Sequence, residues 1–271
     1  MHHNRFLTED LHFKKTGVNS ILTCKGFCSL HDTMIFREIE VGDINYSSYR
    51  SHLLLSFRGI VNEVRKKQVL NDWWQSSLKS GNLTYQQKSF LKWQIFLQEL
   101  GIRDMLFYSD NILSELMQES GEPNFVFNHF ELPYHEVLSS AIFSPHLNEE
   151  LLGDDKVEDM VTEEWINTVL HTIFCHIFPF NNKLHFIIGC HKNYLEEEPN
   201  FLTDMHELNE NEKLKYVSDI LIKRIETWAC SNSFYELNIK PKEEKVLGLC
   251  ELFPVSLSPK EEIDLNLFDN Y

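Results

Sequence analysis

Glycine and proline are scarce, ten and eight in 271 residues, which excludes a collagen-like, linker-like or low-complexity chain. Long apolar runs are missing too. Stretches such as Ile177-Phe178-Pro179-Phe180 and Leu184 to Gly189 fall far short of the roughly 20 residues that cross a bilayer, so no membrane helix is expected. No apolar leader follows Met1, and the six cysteines, at 24, 28, 175, 190, 230 and 250, lack the dense spacing of a secreted disulfide scaffold. A reduced, cytoplasmic protein is expected. Also absent are a Walker loop, G-x-G-x-x-G, G-x-S-x-G and H-E-x-x-H, so the chain shows no ready signature for nucleotide, acyl-transfer or metalloprotease chemistry.

Positive charge is short in one half only. Residues 1 to 120 carry 14 basic and 13 acidic side chains, whereas residues 121 to 271 carry 11 and 28. That acidic half repels phosphate backbones and anionic lipid, so nucleic acid is not expected as its partner, and a basic protein surface is. The local basic run Arg65-Lys66-Lys67 reads as a solvated helix face. Against these absences, 42% apolar and 13% aromatic residues supply a sizeable core.

Hydrophobic periodicity then divides the chain. Tyr46 to Leu78 predicts a long helix with Leu54, Phe57, Ile60, Val61 and Val64 on one stripe. Ser80-Gly81-Asn82 predicts a turn. Thr84 to Glu119 predicts a second long helix, kinked near Gly101. The period then changes: Phe125 to Leu132 and Val137 to Phe143 read as strands. Trp165 to Phe178 alternates between a face of Val169, Ile173, Cys175 and Ile177 and a face of Leu170, Phe174, His176 and Phe178. It turns at Pro179 to Lys183 and returns as Leu184 to Gly189, a hairpin whose two apolar faces place it centrally in a sheet. The connector Leu147 to Glu164, with eight acids and one lysine, predicts a solvated loop. Asn209 to Cys230 predicts a helix with Leu214, Val217, Leu221, Ile225 and Trp228 inside, and a shorter helix follows near Lys242 to Phe253. The expected class is α+β: a helical N-terminal half, residues 1 to 120, packed on an antiparallel sheet with flanking helices, residues 121 to 257, and a polar tail, 258 to 271, in one integrated domain.

Candidate chemistry concentrates at Cys24-Lys25-Gly26-Phe27-Cys28-Ser29-Leu30-His31-Asp32. A Cys-x-x-His pair at a helix start aims thiolate and imidazole at one ion, so Cys28 and His31 form half of a zinc site, with Cys24 as a third donor and His2, His3 or His12 as a fourth. The same pair, at i and i+3, is also close enough for a nucleophile and its base, without an oxyanion hole in view. His171, Cys175, His176, Cys190 and His191 match a metal cluster by type, but strand alternation sends neighbours to opposite faces, which favours a structural role. Arg58 lies on an apolar helix stripe. It predicts either a half-buried ion pair or a contact to a ligand carboxylate or phosphate, with Glu63 on a different face of the helix.

These residues resemble a family of uncharacterised bacterial proteins with a Gly-Phe-Cys-x-x-His-Asp segment. The match runs through Gly26 to Asp32, Ile39-Glu40, Phe57-Arg58 with Glu63, Ser139 to Pro145, Phe178-Pro179, Arg224 to Trp228 and Ser231 to Tyr235. Relatives in that family begin with a Cys pair and a Ser-His step, so the resemblance implies a treble-clef-like zinc knuckle completed by Cys28 and His31. Residues 1 to 14 of this chain contain no cysteine, which leaves the knuckle vestigial or optional. The family implies no activity. The expected role is a non-enzymatic interaction module, with or without zinc; the alternatives are an HNH or treble-clef-like nuclease or effector in phage defence, and a small-ligand sensor built around Arg58.

Overall fold

A computed structural model describes residues 12–17, 20–21, 26–81, 83–118, 121–145, 167–251 and 263–269. The chain divides into two compact units, one of residues 24–122 and 148–170, the other of residues 1–23, 123–147 and 171–271.

The first unit is helical. α1 (Ser29–Phe36) follows an extended Cys28 and passes into a 3-10 turn, Arg37–Ile39. α2 (Tyr49–Lys79) starts at Ser48, whose hydroxyl accepts from the Ser51 N–H, satisfying one of the backbone donors that a helix start leaves open. α3 (Tyr85–Met117) starts at a capping box in which Thr84 and Gln87 satisfy each other's N–H groups. Gly81 takes the left-handed conformation that the intervening turn requires, φ +87°. Both long helices occur where the apolar stripes place them, but α3 runs through Gly101 as one helix. A Cβ there would stand 3.1 Å from the Lys67 side chain. Gly101 therefore faces α2, with the flexible Lys67 chain lying over it.

The second unit is built on a five-stranded antiparallel sheet in the order β1-β4-β3-β2-β5, with β1 (Phe125–Pro133), β2 (Val137–Phe143), β3 (Ile173–Phe180), β4 (Lys183–His191) and β5 (Ala229–Cys230). The fold class is therefore α+β, with a helical N-terminal half and a later sheet flanked by helices. The β3–β4 hairpin occupies the centre, as its apolar faces require. Its loop is shorter than the sequence suggests: Pro179 and Phe180 stay in register with Leu184 and Lys183, and only Asn181 and Asn182 turn, both left-handed at φ 47° and 60°. Two consecutive left-handed residues match the strand twist, and asparagine tolerates them better than branched residues do.

One sheet face belongs to the core. Leu132, Ile173, Cys175, Ile177, Leu184, Phe186, Ile188 and Cys190 pack with Leu214, Val217, Ile220 and Leu221 of α6. Short helices α4 (Lys192–Glu197) and α5 (Asp204–Glu207) lead into α6 (Glu210–Lys223). Asn209 and Glu212 form the capping box of α6.

α6 stops at Lys223, short of the expected Cys230. Ile225 and Trp228 keep helical spacing and remain buried, but they reach the core from an irregular segment, and Ala229–Cys230 joins the sheet beside β2. Short helical turns over Asn232–Phe234, Tyr235–Ile239 and Lys240–Lys242 lead to α7 (Glu243–Glu251). Ile263, Leu265, Leu267 and Phe268, in the stretch read as a polar tail, belong to the core. β3 begins at Ile173, later than the run from Trp165 suggests. The acidic connector, Leu147 to Glu164, lies outside the described residues. Among the described residues no helix is long and apolar enough to cross a membrane.

Candidate metal centre

The residues that the sequence singles out separate by role. Cys24 lies outside the described residues. Gly26 sits so close to α2 that a Cβ would come within 2.6 Å of Val61 Cγ1. Phe27 packs on Phe36 and Phe57 at 5.2 and 5.8 Å between ring centroids. Asp32 stands 3.5 Å from the Arg58 guanidinium. Cys28 and His31 remain on the surface with Sγ and Nδ1 3.2 Å apart. They are brought together as the i, i+3 spacing requires. Among the described residues no third histidine, cysteine or carboxylate joins them in a group able to hold an ion.

Arg58 is paired within the helical unit. Its Nη2 donates to Glu40 at 2.6 Å, and its guanidinium lies 4.0 Å from the centre of the Phe36 ring. This is the half-buried ion pair, strengthened by a cation–π contact. Glu63 is not brought to Arg58; it pairs instead with Lys66 at 3.1 Å and Lys67 at 3.9 Å, which also offsets much of the basic run Arg65-Lys66-Lys67.

The sheet histidines and cysteines are distributed as alternation dictates. Cys175 and Cys190 face the core, and burial pushes both thiols up, Cys190 to about 12, so neither ionises near neutrality. His176 contacts Ser140 on the opposite face, His171 bonds Glu197, and the His191 ring accepts from the Asn193 N–H at the start of α4. These five residues do not converge.

Three others do. β1 and β4 pair antiparallel with Glu131 opposite His185 and His129 opposite Ile187. Because side chains alternate along a strand, His129 and Glu131 share a face, and the register places His185 on that same face. His129 Nε2 and His185 Nδ1 stand 2.9 Å apart, with ring planes within 15°. One donor atom from each of His129, Glu131 and His185 falls within 4.8 Å of the others. On one tetrahedral zinc, two imidazole nitrogens at about 2.05 Å from the ion stand roughly 3.3 Å apart, so admitting an ion means opening the pair by a few tenths of an ångström and swinging the two rings out of their end-on contact toward a common point.

The surroundings favour neutral rings. His185 is buried, with Phe178 parallel to it at 5.4 Å and Phe180 edge-on at 5.9 Å. Burial holds the His129 and His185 pKa values below the usual histidine range, and the His185 charge adds to the effect at His129; Glu131 opposes the shift at both. The neutral imidazole is the form that binds metal. A hydrogen bond between the His185 ring and the Phe180 backbone is the kind of outer contact that orients a ligating histidine. Glu131 is exposed and His129 half-buried, so the group opens on one side.

Reasoning from sequence missed these three residues. The available signal was His129-x-Glu131 within a strand; His185 could join it only once β1 was known to pair with β4. A scan of protein-family models and searches of curated proteins and of solved structures each found no match to this chain.

Proposed function

We propose that this protein binds a first-row divalent transition ion through His129, Glu131 and His185. The observation that carries the reading is the 2.9 Å approach of His129 Nε2 to His185 Nδ1 with the Glu131 carboxylate in reach. Two imidazoles and one carboxylate suit zinc, and they equally suit ferrous iron. The competing account is a neutral histidine pair sharing one proton. Metal analysis of the full chain, loaded anaerobically and then dialysed, separates the two: about one equivalent of ion should remain and be lost when His129 and His185 are both replaced by alanine. Equal retention by wild type and double variant overturns the proposal.

A second reading, the interaction module, is favoured by the aromatic cluster near the α2–α3 turn. Trp73, Phe90 and Tyr85 are 55%, 54% and 82% exposed, and Trp74 meets Trp73 and Phe90 at 4.3 and 6.0 Å. Exposed apolar patches of this kind mark association surfaces. Sedimentation of wild type against Trp73→Ser tests whether the surface joins copies of the chain: concentration-dependent association lost in the variant supports it, and a monomer at all concentrations counts against self-association.

A further inference from the structure

We infer that the ion held by His129, Glu131 and His185 keeps a coordination position for a small oxyanion, with the Lys183 ammonium as its counter-charge. This rests on the metal-binding reading above and extends it to the ligand. Three protein donors leave a four-coordinate ion one position short, the arrangement of metal sites that bind water or substrate rather than of closed structural ones. Among the described residues no fourth histidine, cysteine or carboxylate belongs to the group. The open side is the one bearing exposed Glu131, while Phe178 and Phe180 wall the His185 side.

Lys183 makes the choice of ligand specific. It precedes His185 by two residues on β4 and therefore shares its face, roughly 7 Å along the strand. The register sets it opposite Pro133 of β1 and Phe180 of β3, neither of which carries a charge, and it is exposed. A divalent ion facing two neutral rings and one carboxylate retains a net positive charge. An anion that gives one oxygen to the ion and turns another toward Lys183 would neutralise both. In a half of the chain with 11 basic and 28 acidic side chains, such a local pair of positive centres is out of character with its surroundings and selects negative ligands of short reach.

The test uses full-length protein loaded with cobalt(II), whose visible bands report its ligands, titrated separately with acetate and with inorganic phosphate. The expected result is a saturable band shift with at least one of them, the tighter arm identifying the oxyanion class. Lys183→Gln should weaken that anion about five-fold while cobalt affinity stays within two-fold, since one exposed charge contact is worth up to about 1 kcal/mol. Bound cobalt whose spectrum responds to neither anion overturns the open position and leaves metal binding standing. Anion affinity unchanged in Lys183→Gln overturns the counter-charge role. Failure of the wild type to bind cobalt, or binding unaffected by His185→Ala, overturns the metal reading itself.

Discussion

Cys28 and His31 meet because they are one helical turn apart, and they would meet on almost any scaffold that began a helix at Ser29. His129, Glu131 and His185 meet because two strands distant in the chain pair in one particular register. The first cluster is a pair on the surface of the helical unit, 3.2 Å apart and without a third donor among the described residues. The second has three donors, a buried member and aromatic walls. Motif density in sequence thus marks where ligands are adjacent. Binding needs several donors to converge with their orientation already set, and convergence is a property of the sheet.

The two clusters should differ most when their candidate donors are removed. Replacing His129 and His185 by alanine should weaken zinc binding on the order of 100-fold or more in competition with a chromophoric chelator, because losing a ligand exceeds the effect typical of outer partners. Cys28→Ser with His31→Ala should leave it within about two-fold. An equal loss in the two variants would erase the distinction.

The register itself can be attacked without touching a ligand. A Cβ on Gly189 would stand 2.2 Å from the Phe127 ring and 2.5 Å from the Val126 carbonyl oxygen, so Gly189→Ala forces β1 and β4 apart. Urea denaturation should show a loss of about 2 to 3 kcal/mol, the cost typical of overpacking, and metal affinity should fall with it. Unchanged stability would mean that the two strands part easily and that the donor set is not held by pairing.

On the helical side, Arg58→Ala removes the contacts to Glu40, Asp32 and the Phe36 ring and should cost about 1 kcal/mol, given a half-buried, solvent-screened ion pair and one cation–π contact. Glu63→Ala should cost less, a few tenths of a kcal/mol, since it loses helix-surface pairs. A larger effect from Glu63 would point to a ligand role that the geometry does not show.

The smallest effect concerns a histidine outside both clusters. His135 packs on Phe268 and Phe234 at 4.7 and 5.9 Å, and burial lowers its pKa. The unfolded chain, titrating near the ordinary value of about 6.5, therefore binds a proton before the folded one does. The stability contribution is complete above that value and is lost as pH falls through it toward the lower folded pKa. His135→Phe should flatten the fall in melting temperature between pH 7 and pH 5, measured by circular dichroism without metal. An unchanged slope assigns the titration elsewhere.

Much of the fold is legible in local chemistry. The long helices follow from apolar stripes bounded by Ser48, Thr84 and Gly81, and α6 begins where Asn209 and Glu212 can cap it. The hairpin follows from two β-rich runs around Asn181-Asn182. The clearest departure follows α6. Ile225 and Trp228 continue a helical stripe that the backbone abandons after Lys223, where packing overrode a local signal.

Spacing along the chain was enough to set Cys28 beside His31 and to send Cys175 and His176 to opposite faces, because one helical turn and one strand step are short-range geometry. It was also enough to separate Arg58 from Glu63. Which strand lies beside which is a different kind of fact. Pairing β1 with β4, across the intervening β2 and β3, is decided by how the whole sheet buries its apolar face, and that choice alone turns His129, Glu131 and His185 from three unremarked residues into one group.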